Sequence, residues 1–367
     1  MSGRFGPIQL SPAEVQLLSS AFGSPEASVR SWTGWRSRHD LEADVSADVY
    51  SVFPLISANL DRAGVRDPYS DRLGGVRRKT WYRNQMVIRD GVRATDHLRG
   101  ARVRFALGGL TALLARHLRD ASLFPLDQFK IILTSDGDRA VETLNRAGWI
   151  TVYVSRTPVG GYTRLVMRSP KGNRLVLSVR RLSREGDSSD APCQTRPFDQ
   201  LGFAEREFDV IDPAASMLEL AAPPADLYRR SLFLRTAATL PLLASDIDIA
   251  TSDLIDDARR TYTVAALHEV VVAASGVIDV EHRSNIVEAL GGLREPVWER
   301  CERRRTQEGR GLSRRFWGAW YRNRRLEPDS SWLGCATSFV ARRFPPAEIR
   351  RLLTRTAPES RTSQVAL

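Results

Sequence analysis

Asp246 and Asp248 are separated by one residue and form the most obvious acid pair in the chain that could bind a divalent cation. Carboxylate oxygens are suitable ligands for Mg²⁺, and residues two apart in a strand point to the same side. However, no glycine-rich turn and helix precede the pair at the spacing of a phosphate-binding unit, and the surrounding pattern predicts helices joined by a loop. Helix capping or a solvated acidic face is therefore the favoured interpretation, and a metal site is the alternative.

The five histidines and three cysteines form no motif that would indicate a metal site or a nucleophile. No HExxH pattern is present, and no Cys/His spacing typical of zinc occurs. The cysteines are few, odd in number and far apart, which favours a reducing compartment over a disulfide scaffold. Because no signal peptide or membrane-spanning run is predicted either, we expect a cytoplasmic protein without a resident metal.

The segment from Arg300 to Arg325 contains ten arginines, two acids and four interleaved aromatic residues. Arginines with aromatic neighbours suit phosphate backbones with stacked bases, or an anionic membrane surface. A helix that packs its aromatic side into a bundle and leaves its arginines in solvent has the same pattern, and packing is the favoured interpretation. The candidates for anion binding are Arg314, Arg315, Arg322, Arg324 and Arg325.

The 367 residues carry a net charge of +11, and all but three of the 54 basic residues are arginines. The three lysines are Lys79, Lys130 and Lys171. A basic balance can indicate an anionic partner such as nucleic acid, lipid or polyphosphate, but a GC-rich genome that favours arginine over lysine explains it as well. The length suggests two or three structural units, on a prior of roughly 150 residues for each unit.

Helices are predicted at both ends of the chain and strands in the middle. Residues 10–62 are predicted as helical, starting at the capping pattern Ser11-Pro-Ala-Glu14, and a long helix is predicted from Tyr69 to about Arg99. A glycine turn and a helix follow the first strand, and a helix closed by Gly148 follows the second. The predicted strands are Val103–Leu107, Gln128–Leu133, Trp149–Val154, Tyr162–Arg168 and Arg174–Arg180. Residues 183–200 are predicted as a loop, and the chain is predicted to be helical again from Pro224.

Several short motifs accompany these elements in a fixed order: Trp32 to Trp35, Trp81-Tyr-Arg-Asn84, the strand–Gly–helix unit, Gly148-Trp149, Pro224-Ala-Asp-Leu227 and Trp320-Tyr-Arg-Asn-Arg-Arg325. In this order and spacing, from about Leu10 to Ala341, the sequence resembles an uncharacterised bacterial nucleotidyltransferase family of the polymerase-beta-like superfamily. The resemblance implies a site in which two divalent metals lie between a nucleoside triphosphate and an attacking group.

The resemblance also implies where the metal ligands should lie, as an Asp-x-Asp pair on one strand and a third Asp on a neighbouring strand. In this sequence the pair falls on Gln128 and Lys130, and the third acid falls on Val176. An ammonium repels a divalent cation, a valine cannot ligate one, and a glutamine offers a single neutral oxygen. The chain therefore resembles a degenerate member, for which Mg²⁺ and a nucleoside triphosphate would be cofactors only if activity remains.

The family's Lys-Gly turn, where backbone N–H groups meet phosphate, falls on Gly108 and Gly109, so the glycine is kept and the lysine is absent. We expect phosphate or a nucleotide to contact Gly108, Gly109 and Lys130, with the lysine acting as a point charge. Asp127 is the candidate replacement acid, although alternation turns it to the opposite face unless a register slip or a bulge brings it back. A plain tight turn at the two glycines is the alternative.

The predicted fold is α+β, with a small mixed β-sheet nucleotidyltransferase-like core flanked by N-terminal helices and a C-terminal helical bundle. We expect an N-terminal helical region at 1–100, the core at 101–222, the bundle at 223–357 and a disordered tail at 358–367. Three functions follow. The first is a binding or accessory protein without transfer activity, with a protein partner or a nucleotide as ligand, in a biosynthetic pathway. The second is an active nucleotidyltransferase for a small-molecule or peptide acceptor, and the third is a binder of nucleic acid or an anionic surface.

Overall fold

A computed structural model describes residues 10–41, 45–118, 120–133, 136–154, 162–180, 199–221, 234, 237–239, 254–256, 258–259, 264–275 and 320. Within these ranges the protein combines helices with one seven-stranded mixed sheet, which confirms the predicted α+β class. The predicted boundaries between the N-terminal helical region, the core and the C-terminal bundle stay predictions.

Three capped helices open the described chain: α1 (Pro12–Phe22), α2 (Pro25–Arg36) and α3 (Ala47–Arg62). Each follows a serine whose hydroxyl accepts a backbone N–H of the first turn, and Ser11 forms the predicted capping box with Glu14. Trp32 and Trp35 stack with ring centroids 5.6 Å apart, and both meet Phe53 edge-on. The apolar sides of α2 and α3 are therefore buried against each other.

Seven strands form the sheet: β1 (Phe105–Leu107), β2 (Phe129–Leu133), β3 (Ile150–Val154), β4 (Tyr162–Arg168), β5 (Arg174–Arg180), β6 (Asp199–Phe203) and β7 (Arg206–Val210). Their order across the sheet is β3-β4-β5-β2-β1-β7-β6. β2 runs parallel to β5 and antiparallel to β1, and β1 runs parallel to β7. The first five strands lie within the predicted apolar runs.

The hairpin of β6 and β7 is missing from the sequence prediction. The predicted loop 183–200 is wrong at its end, because Asp199 and Gln200 already belong to β6. The turn between the two strands places Ala204 and Glu205 at φ +49° and +63°, a conformation that usually requires glycine or asparagine. Since neither residue type occurs there, the turn has no sequence signature.

The long helix α4 (Ser70–Gly100) supports the sheet from one side. A Cβ built on its buried Gly91 would lie 2.1 Å from the ring carbon Cγ of Phe129 on β2, so only a glycine lets the two backbones approach this closely. The buried carboxylate of Asp90 accepts hydrogen bonds from Ser169 at 2.6 Å and from Asn173 at 2.7 Å. Asp90 thereby fastens the turn between β4 and β5 to the helix.

Four further helices are described: α5 (Gly109–Leu113), α6 (Gly137–Arg146), α7 (Pro213–Ala221) and α8 (Val264–Ser275). α5 follows β1 and continues into a π-helical turn from Leu114 to Leu118, α6 follows β2, and α7 follows β7. Buried residues of the N-terminal helices, the sheet and α8 belong to one hydrophobic cluster. No helix in the described ranges has the length and apolar character needed to cross a membrane.

Gly91→Ala is expected to destabilise the protein by on the order of 3 kcal/mol, because the added methyl overlaps the Phe129 ring and one of them must move. Gly75→Ala in the same helix is the matched control, since no atom lies within 4 Å of a Cβ built there. The control should be neutral or stabilising by up to about 1 kcal/mol. Urea unfolding followed by circular dichroism measures both, and equal effects would show that α4 and β2 need no close approach.

Candidate functional site

The turn between β1 and α5 is the first part of the candidate site. Gly109 has φ +54°, in the left-handed region that favours glycine. Gly108 is extended, but a Cβ there would lie 2.6 Å from Cδ1 of Ile132, so a side chain fits only if Ile132 moves. The packing of Ile132 and Glu219 against the turn thus favours a glycine at the position where the resemblance expects a lysine.

Lys130 on β2 and Val176 on β5 are direct partners in the parallel register. The structure therefore brings together two of the positions at which the resemblance expects metal-binding carboxylates. Paired residues of neighbouring strands share a face of the sheet, and Val176 is fully buried on that face. Gln128 is half-buried and directly precedes β2, two residues before Lys130.

The same face carries two further cations. Arg174 lies two residues before Val176 on β5. Arg168 on β4 is the direct antiparallel partner of Arg174. Both arginines are exposed, and neither forms an ion pair with another residue in the described ranges. Like charges directly opposite each other destabilise a strand pair, so an anion would relieve the repulsion here. We call Lys130, Arg168 and Arg174 the basic sheet face.

Glu219 on α7 brings a carboxylate to the basic sheet face, and sequence reasoning missed it. Its Oε2 accepts the N–H of Gly109 at 2.5 Å, and its Oε1 forms an ion pair with Nζ of Lys130. The two side chains are about one-fifth exposed, at 20% for Lys130 and 21% for Glu219. One carboxylate therefore lies at the glycine turn, where the resemblance expects phosphate, and an ammonium holds it in place.

The start of α7 sets the position of Glu219. Asp212 accepts the N–H of Ala215 through Oδ1 at 2.9 Å, and Pro213 is the first residue of the helix. An aspartate cap followed by proline is a helix-start signal that could have located α7, whereas helix was expected again only from Pro224. The pairing of Glu219 with Lys130 has no comparable sequence signal.

The backbone of Lys130 is fixed on two sides. Its N–H donates to Oγ1 of the buried Thr111 on α5 at 2.9 Å, and its carbonyl accepts the N–H of Gly108 at 3.2 Å. The glycine turn, α5 and β2 are thereby joined at this one residue. The ammonium of Lys130 is consequently positioned by the fold and not only by its ion pair.

Asp127 lies away from the basic sheet face. Its Oδ1 is 3.3 Å from Nη2 of Arg83 on α4, the helix that packs against Phe129 on the other side of the sheet. The pairing of β2 with β5 is regular from Phe129 to Leu133, with no bulge that would turn Asp127 towards Lys130. The geometry therefore gives no support to Asp127 as a replacement metal ligand.

Asn84, the last residue of the Trp81–Asn84 motif, holds the loop that leads into β2. Its Nδ2 donates to the carbonyls of Ala121 and Phe124 at 2.6 and 2.7 Å, and its Oδ1 accepts the N–H of Leu126 at 2.7 Å. The side chain is fully buried, so these bonds replace those that Asn84 would make to water. The motif therefore positions the strand that carries Lys130.

Asp120 stabilises the beginning of the same loop. Burial raises the pKa of its carboxyl group, but hydrogen bonds from Ser122 and Arg77 outweigh this effect and hold the pKa below its ordinary value. Asp120 therefore stays charged at neutral pH and binds Nη2 of Arg77 at 2.8 Å. The loop is in this way tied to α4 by charge as well as by Asn84.

The basic sheet face does not fit a divalent cation. Mg²⁺ requires an octahedral set of oxygen ligands, whereas Lys130 and the two arginines repel it and Val176 offers no donor atom. Asp209 on β7 shares this face, but it lies two strands from Lys130. In the part of the chain that the structure describes, no group of three or more His, Cys, Asp or Glu side chains is placed to hold a metal ion.

Two of the predicted candidate sites lie outside the described residues. These are the acid pair Asp246 and Asp248 and the arginines Arg314, Arg315, Arg322, Arg324 and Arg325. Trp320 is the one described residue of the segment from Arg300 to Arg325, and it is half-buried. The roles of both sites stay predictions.

Comparisons with known proteins add little to these observations. No protein-family model matches the sequence, and no curated protein matches it. The structure is similar to that of an antigenic nucleotidyltransferase-like protein from Paracoccidioides brasiliensis, with 14% sequence identity and a TM-score of 0.28 over 59% of this chain and 94% of the other. A TM-score this low does not establish a common fold, so function has to be argued from the residues themselves.

Lys130→Met and Glu219→Gln are each expected to destabilise the protein, because each leaves a partly buried group without its partner. The double variant should lose less unfolding free energy than the two single variants lose together, and the difference, the coupling free energy, should be on the order of 1 kcal/mol. The control pair is Arg146→Met and Glu142→Gln on α6, whose ion pair is mostly exposed and should couple by no more than about 0.5 kcal/mol. Urea unfolding of all variants tests this, and equal coupling in both pairs would contradict it.

Proposed function

We propose that this protein is a nucleotidyltransferase-like binding or accessory protein that has lost metal-dependent nucleotidyl transfer. The observation that carries the proposal is the contact of Glu219 with both Gly109 and Lys130. A carboxylate lies where the resemblance expects phosphate, and an ammonium lies where it expects a metal ion. The chain itself therefore supplies both charges that a metal–nucleotide complex would bring.

Electrostatics argues against transfer at this site. Nucleotidyl transfer depends on carboxylates that hold two divalent cations between the phosphates and the attacking group. On the basic sheet face, Lys130 and Arg174 occupy β2 and β5, the two strands on which those carboxylates should lie. Loss of one acid could be repaired by a neighbour, but here all three acids are absent, one of them is replaced by the cation Lys130, and Arg174 adds a second positive charge nearby.

A phosphate-bearing ligand that needs no metal suits this site best. The guanidinium groups of Arg168 and Arg174 can bind phosphate through paired hydrogen bonds, and Lys130 can bind it as a point charge. Such a ligand would displace Glu219 from the N–H of Gly109. A nucleotide is the ligand that the resemblance favours, and an acidic side chain of a partner protein is the alternative.

Calorimetry with ATP, GTP, CTP and UTP, with and without magnesium, tests the proposed loss of transfer. We expect magnesium not to increase any affinity, because the site has no ligands for it and magnesium lowers the negative charge of the nucleotide, and we expect no release of pyrophosphate. Magnesium-dependent binding with pyrophosphate release would contradict the proposal. Absence of nucleotide binding under both conditions would leave a protein partner as the ligand.

Variants of the ion pair test where the anion binds. Glu219→Ala should increase the affinity for pyrophosphate roughly tenfold, because it frees a charge-assisted contact at Lys130 and the N–H of Gly109. Adding Lys130→Met to Glu219→Ala should abolish this increase in affinity. Glu142→Ala, which removes an exposed carboxylate from α6, is the matched control and should have no effect. If Glu219→Ala and Glu142→Ala behave alike in calorimetry, Glu219 does not occupy an anion site.

A transferase that uses other carboxylates is the alternative function, with a small molecule or a peptide as acceptor. Glu219 and, by alternation on β7, Glu207 and Asp209 are described acids on the basic side of the sheet. Turnover by the wild-type protein that is lost in Glu219→Gln would favour this alternative. The cytoplasmic location and the anion-binding role of the segment from Arg300 to Arg325 remain proposals from the sequence.

A further inference from the structure

The outer side of α4 presents arginines and aromatic residues in one stripe. Residues spaced three and four apart on a helix share a face, and these six positions recur at that spacing on the exposed side. We call them the α4 stripe: Arg78, Trp81, Tyr82, Gln85, Arg89 and Arg93. Since α4 packs against Phe129 with its opposite side, the α4 stripe faces away from the sheet and from Lys130.

The aromatic residues of the α4 stripe are unusually exposed. Trp81 is 49% and Tyr82 is 62% exposed, whereas Trp32 and Trp35 are almost completely buried in the N-terminal helices. Neither Trp81 nor Tyr82 makes a ring contact with a described residue. Large aromatic side chains left in solvent side by side lose the burial that normally stabilises them, and such exposure is typical of a binding surface.

The cations of the α4 stripe lack the partners that other arginines of the same helix have. Arg77 binds Asp61 and Asp120, and Arg83 binds Asp127. By contrast, the described part of the chain provides no ion pair for Arg78, Arg89 or Arg93. Asp90 is the one acid of α4 between Arg78 and Arg93, and its carboxylate is buried against Ser169 and Asn173.

Two more cations flank the stripe. Lys79 is exposed on α4 itself, and Lys171 is exposed in the turn that Asn173 fastens to Met86 and Asp90. From Arg78 to Arg93 the helix is about 22 Å long at 1.5 Å per residue. Cations without an ion pair in the described residues lie at both ends of this length, Arg78 and Lys79 at one and Arg89 and Arg93 at the other, and the two exposed rings follow the first pair.

We propose that the α4 stripe binds single-stranded nucleic acid, with bases stacked on Trp81 and Tyr82 and phosphates held by Arg78, Arg89 and Arg93. Arginines interleaved with exposed aromatics are the combination that single strands require, because rings stack on bases of any sequence while cations follow the backbone. A membrane-bound helix would instead need a continuous apolar side, which is absent here because the polar residues Arg78, Gln85 and Arg89 flank the two aromatic positions on the same face. The inference is independent of the function proposed for Lys130 and Glu219.

Fluorescence anisotropy with the full-length protein tests the proposal, using labelled single-stranded RNA, single-stranded DNA and duplex DNA of mixed sequence. We expect binding to either single strand that is tighter than binding to the duplex and that weakens steeply as salt rises. Whichever single strand binds more tightly identifies the sugar that is preferred. Absence of binding at low salt, or binding to anionic vesicles but to no oligonucleotide, would overturn the proposal.

Charge and stacking variants separate the α4 stripe from the general positive charge of the chain. The double variant Arg89→Glu, Arg93→Glu should weaken binding at least tenfold. The control is the double variant Arg30→Glu, Arg139→Glu, on the exposed sides of α2 and α6. It changes the net charge by the same amount and should leave the affinity unchanged. Trp81→Ala with Tyr82→Ala should weaken binding about tenfold at unchanged charge. Equal losses in the two charge variants, or no loss in the aromatic variant, would overturn the proposal. Circular dichroism confirms that each variant is folded.

Discussion

The contact among Glu219, Lys130 and the N–H of Gly109 is the interaction on which the site depends, because it joins three separate parts of the fold. Gly109 belongs to the turn after β1, Lys130 to the middle of the sheet, and Glu219 to the helix that follows β7. Several local features serve this contact, including the Asp212 cap that starts α7 and the hydroxyl of Thr111 that fixes Lys130. A charged pair that is about four-fifths buried persists only with such support, since desolvation opposes it.

The two sides of the sheet differ in how positive charge is balanced. On the side of α4, Arg77 and Arg83 are paired with aspartates, and Asn84 and Asp90 hold neighbouring loops through short hydrogen bonds. On the opposite side, one carboxylate meets Lys130 while Arg168 and Arg174 stay opposite each other. The outer surface of α4 is a second region of unbalanced charge. In the described part of the chain, positive charge without a balancing acid therefore lies on two separate surfaces, which suits anionic ligands.

Local signals in the sequence predict most of the described elements and only part of the site. The Ser11 capping box, the long α4 and five strands follow from spacing and caps, and the structure has them. The hairpin of β6 and β7 was missed because its turn contains no glycine or asparagine. Glu219 was missed for a different reason: its pairing with Lys130 depends on how α7 returns to the sheet, and such a distant contact leaves no local pattern. The alignment of Lys130 with Val176 likewise required the parallel register.

The central claim is that the sheet face around Lys130 holds an anion and no divalent metal. Anomalous diffraction from crystals grown with Mn²⁺ and a non-hydrolysable nucleoside triphosphate tests it most directly, because manganese replaces magnesium and is located by its own signal. The account predicts no manganese peak on this face, with the Glu219 carboxylate or a phosphate group of the nucleotide beside Lys130 and Gly109. A manganese ion between the triphosphate and the carboxylates of Glu219 and Asp209 would contradict it.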